Sequence, residues 1–137
     1  MNANERELIC KEETYRIVGS AMTVSNALGC GFLEAVYQEA MEIELKESRV
    51  PFEAQKRIQI HYKDRILQKE YEADFLCYDC IIVEIKAIEK ITEIEEAQVL
   101  NYLNAAKLPL GLIVNFGAPK LEWKRYVNTK EPLMNAK

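Results

Sequence analysis

Apolar residues along the chain recur first at helical and then at strand spacing. From about Glu5 to Leu28 the sequence is compatible with a helix, with Val18, Met22 and Ser25 near one face, and Gly29-Cys30-Gly31 ends it with two conformationally permissive residues. A second helix is predicted from about Phe32 to Ser48, where Leu33, Val36, Ala40 and Ile43 fall on one stripe and Pro51 lies just past the end. Three segments rich in Ile, Val, Tyr or Phe then read as strands joined by tight turns: Ala54 to Tyr62, Leu67 to Tyr78 and Cys80 to Ala87. Thr92-x-x-Glu95 is a capping-box pattern opening a third helix, which runs to about Ala106 and closes at Leu108-Pro109. Gly111 to Phe116 is nearly continuously apolar, as in a strand buried on both faces, and Leu121 to Val127 alternates like a strand covered on one side. The order ααβββαββ predicts an α/β fold, a mixed β-sheet flanked by helices. No repeat or low-complexity linker divides the chain, so residues 1–137 read as one domain.

Composition agrees with one ordinary core: 137 residues, 49% apolar and 29% charged. A chain of this size buries enough surface to fold without a disulfide or structural metal, which leaves any metal free to be functional. No apolar run approaches the roughly 18 residues of a membrane span, and MNANERELICKEE has no apolar stretch behind a basic start, so a cytoplasmic protein without a membrane partner is expected. Cys10, Cys30, Cys77 and Cys80 suit reduced thiols. Cys77-x-x-Cys80 is a single pair flanking a predicted turn, and incidental thiols explain it better than zinc or redox chemistry.

A net charge of −4 is the wrong sign for non-specific coating of nucleic acid. The charge is uneven, however. Between Gln55 and Gln68, Lys56, Arg57, Lys63 and Arg65 stand against Asp64 alone, and Lys120, Lys124, Arg125 and Lys130 gather near the C-terminus.

The candidate chemistry lies in the hairpin YEADFLCYDCIIVEIKA. If its turn is centred on Asp79, Phe75 faces Val83, Leu76 faces Ile82 and Ala73 faces Ile85, all apolar pairs. The same register sets Asp74 against Glu84 and Glu72 against Lys86. Facing carboxylates roughly 5 Å apart must protonate, reach solvent or share a cation, and a hard divalent ion is the natural partner. Glu84 and Lys86 then share a face, with Ile85 pointing away and its backbone carbonyl near the site. Two acids and an ammonium are the parts that phosphodiester hydrolysis needs. By residue type alone, a solvated surface hairpin explains the same letters equally well.

Asp74 followed by Glu84-Ile85-Lys86 resembles the signature of the PD-(D/E)XK nuclease superfamily, an acid followed at variable distance by acid-x-Lys. Gly31-Phe32-Leu33-Glu34-Ala35-Val36-Tyr37 matches the pattern that names the GxxExxY protein family, which is placed in that superfamily. Gln98-Val99-Leu100-Asn101-Tyr102 is similar to a motif of its RecB-like branch. Ala73 stands where the superfamily's name has proline. The resemblance implies a restriction-endonuclease-like fold and a nuclease that uses Mg2+, or Mn2+ in its place. It implies Asp74, Glu84, the Ile85 carbonyl and Glu34 at the metal, and Asp74, Glu84, Lys86 and Glu34 in catalysis. Gln98, Tyr102 and Tyr37 are expected to position substrate, although Tyr37 is also placed to pack or to buttress Glu34.

Nucleic acid, with DNA favoured over RNA, is the expected partner, and a 137-residue footprint raises the expectation of a homodimer. The competing reading is a catalytically inactive module that keeps the fold and binds nucleic acid or protein. His61 has no partner for a catalytic role and reads as a strand residue. Trp123 reads as core, with Lys124 and Arg125 beside it leaving a DNA-facing strand open.

Overall fold

A computed structural model of the chain describes residues 9–129. They form helices α1 (Lys11–Leu28) and α2 (Glu34–Glu47), strands β1 (Phe52–Tyr62), β2 (Arg65–Cys77) and β3 (Ile81–Lys86), helix α3 (Glu93–Ala106), and strands β4 (Leu110–Asn115) and β5 (Glu122–Val127). The five strands make one sheet in the order β1-β2-β3-β4-β5, parallel between β3 and β4 and antiparallel elsewhere. This is the mixed sheet that the element order predicts, and α3 supplies the crossover that a parallel pair requires. The expected start of the first helix near Glu5 lies outside the described residues. No described helix is long and apolar enough to cross a membrane.

Helices cover both faces. On one, Ile17, Val18, Ala21 and Val24 of α1 and Tyr37, Met41 and Leu45 of α2 pack on Phe75, Val83, Ile85, Leu112 and Val114. On the other, Leu103 of α3 packs against Ile58, Tyr71, Ala73 and Ile82, and Val99 against Ile113. The capping box forms as expected: Ile94 N donates to Thr92 Oγ1 at 3.3 Å, and Thr92 N donates to Glu95 Oε1 at 2.7 Å. The helix lies so close to the sheet that a Cβ on Gly111 would come within 2.9 Å of Val99 Cγ2.

Two expected helix faces are corrected. Met22 of α1 is exposed, and Ser20, Ala21 and Val24 turn inward in its place. On α2 the expected stripe points mostly outward, with Leu33 at the N-cap 81% and Ile43 55% exposed and Ala40 half-buried, while Tyr37, Met41 and Leu45 are fully buried. The helix carries two apolar arcs, and their choice depends on the surface it meets. Tyr37 decides it: its ring stacks on Phe116 at 4.6 Å and its hydroxyl donates to Gly29 O at 2.6 Å, which satisfies the polar end inside the core.

The β2–β3 turn sets the register anticipated from a centre at Asp79: Phe75 pairs with Val83, Leu76 with Ile82 and Cys77 with Ile81. Tyr78 and Asp79 both take left-handed backbone, as a tight hairpin turn demands. The expected pairs Ala73–Ile85, Asp74–Glu84 and Glu72–Lys86 do not continue the ladder, which ends at Phe75–Val83. Strand alternation breaks at Asp74. Ala73 belongs to the α3 side of the sheet and Phe75 to the α1–α2 side, although residues two apart on a regular strand share a face. In β1, Gln55 takes φ 51°, and the ladder steps from Ala54–Phe75 to Lys56–Ala73 without a Gln55–Asp74 pair. Both strands kink at the same level, and β2 parts from β3 there.

Candidate active site at the fork of β2 and β3

The fork leaves backbone groups without ladder partners, and side chains supply them. Ile85 N donates to Asp74 Oδ2 at 2.7 Å, so a carboxylate replaces the carbonyl that a continued ladder would have offered. Gln38 of α2 donates from Nε2 to Asp74 O at 3.2 Å. Ile85 itself packs into the α1–α2 side of the core. Glu84, 9% exposed, lies on the opposite face, where Tyr71 Oη donates to its Oε1 at 3.1 Å. Tyr71 in turn stacks on Tyr102 of α3, with ring centroids 3.7 Å apart.

The two acids meet without being a ladder pair. Burial first, then the charge of Asp74 and a hydrogen bond to it, push Glu84 up to about 8, against the opposing pull of the Tyr71 hydroxyl and Lys86. Asp74 is also raised by burial, opposed by the Ile85 N–H, the Glu84 hydrogen bond and Lys86. The causes fit one arrangement, in which Glu84 keeps a proton and donates it to Asp74. Glu34 opens α2 and is raised by burial and then by Asp74, with Lys86 pulling it down. One lysine thus acts on three carboxyls that come from a helix and two strands. The half-buried Lys86 makes no ion pair within 4 Å among the described residues.

The pair Asp74 and Glu84 is chemically suited to a divalent cation. Two carboxyls desolvated against each other are the groups whose charge such an ion would relieve. Among the described residues no three or more His, Cys, Asp or Glu side chains are grouped so as to hold a metal ion. Two close carboxylates suit a hard divalent ion that keeps part of its water shell.

The remaining sequence candidates fall at different distances from the fork. Tyr102 reaches it through Tyr71. Gln98 lies exposed one turn earlier on α3. Tyr37 is buried, and its hydroxyl binds the Gly29 carbonyl and accepts from Phe32 N at 3.2 Å, which fixes the loop that leads to Glu34. His61 sits half-buried on β1, and Trp123 packs against the core on β5.

Sequence reasoning missed three residues. Tyr71 and Gln38 touch the two acids, and their only sequence signal is position: Gln38 is one helical turn after Glu34. Asn115 is the third. Its Oδ1 accepts from Ile88 N at 2.9 Å and Gly117 N at 3.0 Å, and its Nδ2 donates to Glu122 Oε1 at 3.0 Å. The chain leaving Lys86 is held this way, and it passes so near Gly117 that a Cβ there would lie 2.3 Å from Ile88 O.

Among solved structures, the crystal structure of SSO0001 is similar in fold, with a TM-score of 0.56 and 18% identity over 96% of this chain. The match spans 64% of that protein's length. No curated protein matches the chain. The family model of the PD-(D/E)XK nuclease superfamily matches residues 11–126, through both forking strands and the helices around them, and the chain belongs to that superfamily.

Proposed function

We propose that the chain is a magnesium-dependent nuclease that hydrolyses phosphodiester bonds of DNA, with manganese able to replace magnesium. The observation that carries this reading is the fork itself, where Asp74 accepts from Ile85 N at 2.7 Å and Glu84 accepts from the Tyr71 hydroxyl at 3.1 Å on the strand that carries Lys86. Asp74 and Glu84 would hold the ion, with the Ile85 carbonyl and Glu34 as further donors. A bound ion supplies Lewis-acid charge at the scissile phosphate and lowers the pKa of a bound water. Lys86 orients the attacking water and offsets negative charge gathering on the phosphate. Gln98 and Tyr102 position the substrate from α3, and Tyr37 holds the loop that aims Glu34. Within the superfamily, Gly31 to Tyr37 supports membership of the GxxExxY family, and Gln98 with Tyr102 a place near the RecB-like branch.

Purified protein is expected to cut labelled DNA with magnesium or manganese, and Asp74→Ala and Lys86→Ala to abolish cutting. Absence of cutting on DNA and RNA alike, or full activity in both variants, sinks the reading. The net charge of −4 favours a second reading, a non-catalytic module that keeps the fold. Calorimetry separates the two: magnesium binding that disappears in Glu84→Ala supports the enzyme, and DNA binding indifferent to metal supports the module.

A further inference from the structure

Beyond the fork, β1 and β2 run on as a two-stranded ribbon. β3 pairs only with Phe75, Leu76 and Cys77, whereas the β1–β2 ladder continues to Tyr62–Arg65. The base of the ribbon is anchored, since Ile58, Ile60 and Tyr71 pack with Leu103, Ala106 and Leu108 at the end of α3. Its outer end is covered by nothing among the described residues. Tyr62 is 57% and Ile66 54% exposed, and Leu67 lies open between them and Lys69.

The charge of this end opposes that of the molecule. From Tyr62 to Lys69, Lys63, Arg65 and Lys69 stand against Asp64 alone, in a chain of net charge −4. None of the three cations forms an ion pair within 4 Å among the described residues, while Arg57, nearer the base, is paired with Glu70 at 3.6 Å. Lys63 takes the left-handed position of the tip turn with φ 55°, and its ammonium sits over the Tyr62 ring at 5.4 Å. The ribbon is therefore narrow, basic and tipped with exposed apolar groups, and its strand β2 also carries Asp74. From Asp74 to Arg65 the strand spans no more than roughly 30 Å at about 3.4 Å per residue.

We propose that this ribbon grips double-stranded DNA by entering its major groove, with Lys63, Arg65 and Lys69 on the flanking phosphates, Tyr62 and Leu67 of one face against base edges, and Ile66 of the other face toward the groove wall. A two-stranded β-ribbon fits the major groove of B-DNA, about 12 Å wide, and apolar side chains there meet thymine methyls. The major groove of an RNA duplex is too narrow to admit it. The inference builds on the nuclease reading by naming duplex DNA as the substrate class and the ribbon as the part that holds it away from the cut.

The test is fluorescence anisotropy of a labelled 24-base-pair DNA duplex with the full chain in EDTA, where binding proceeds without metal-dependent cutting, and with RNA of the same sequence. Wild type is expected to bind the DNA duplex at least about tenfold tighter than the RNA. The triple variant Lys63→Glu/Arg65→Glu/Lys69→Glu should lose at least thirtyfold in DNA affinity, and its slope of log K against log salt should fall by about 2 to 3, as for three lost phosphate contacts. Circular dichroism and a melting curve matching wild type exclude misfolding, and Lys63→Arg/Arg65→Lys should restore binding.

Unchanged affinity and salt slope in the triple variant would overturn the proposal, as would equal binding of the RNA duplex or no binding of DNA by wild type. It is equally overturned if sedimentation shows a second copy seated on the ribbon, with a dimer that Ile66→Ser/Leu67→Ser dissolves. Failure of the nuclease reading looks different: wild type would bind DNA through the ribbon and cut nothing in magnesium. If instead wild type cuts DNA and the triple variant cuts with the same KM, the nuclease reading stands and the ribbon proposal falls.

Discussion

One strand, β2, serves two environments with opposite rules. From Phe75 to Cys77 it lies between β1 and β3, sealed by helices on both sides, and the acid just before this stretch, Asp74, is raised by burial. From Arg65 to Glu70 it has, among the described residues, one neighbour, no helix over its tip and a full row of exposed side chains. In the inner half a charge is a cost that must be met by a proton, a hydrogen bond or a cation. In the outer half charges stay in contact with water and cost little to place. A carboxylate is thus chemically useful at the fork because the same group would be unremarkable at the tip.

The comparison is tested most severely by activity. Asp74→Asn is expected to lower magnesium-dependent cleavage about a thousandfold, whereas Ile66→Ser should leave kcat within a few fold and act on DNA affinity alone. Measurement of kcat and KM on one labelled duplex decides it, and a large kcat loss at Ile66 would erase the distinction.

Stability gives the next largest contrast. Phe75→Ala removes a fully buried ring, at a cost of about 3 to 5 kcal/mol. Leu67→Ala on the exposed outer half should stay within about 0.5 kcal/mol. Urea unfolding of both variants reads the difference, and equal losses would mean that the tip is packed.

The pH dependence sharpens the inner half further. Glu84 is raised from an ordinary value of 4.5 to about 8 on folding, and Asp74 moves in the same direction. The folded state therefore holds extra protons, so the stability that Glu84 contributes is fully present below about pH 4.5 and is lost as pH rises through 8. The melting temperature of metal-free protein should fall across that window, and Glu84→Gln should flatten most of the fall. Magnesium should oppose the fall as well, because a metal selects the deprotonated carboxylates. A melting curve independent of pH in wild type would show that Glu84 is solvated.

Tyr71→Phe is the smallest expected change. It removes the hydroxyl that donates to Glu84 at 3.1 Å and leaves the ring stacked on Tyr102. A loss of about 1 kcal/mol is expected, together with a further rise of the Glu84 pKa, because that hydroxyl holds it down. Titration of the Glu84 carboxyl by NMR checks the direction.

The sequence by itself determined what local rules govern. The element order follows from apolar periodicity, the start of α3 from its capping box, and the β2–β3 register from a turn whose geometry fixes the pairs beside it. It also carried Asp74, Glu84 and Lys86 as letters at a spacing that a hairpin brings together. Tertiary structure decided what depends on distant partners. The inward face of α2 was set by Tyr37 stacking on Phe116, although Leu33, Val36, Ala40 and Ile43 form an equally regular arc. The meeting of Asp74 and Glu84 was settled by the kink that ends the ladder, where Asp74 takes the Ile85 N–H and Gln38 takes the Asp74 carbonyl. Periodicity reports that a face is apolar, but only packing says which apolar face finds a partner, and only a broken ladder leaves a carboxylate something to replace.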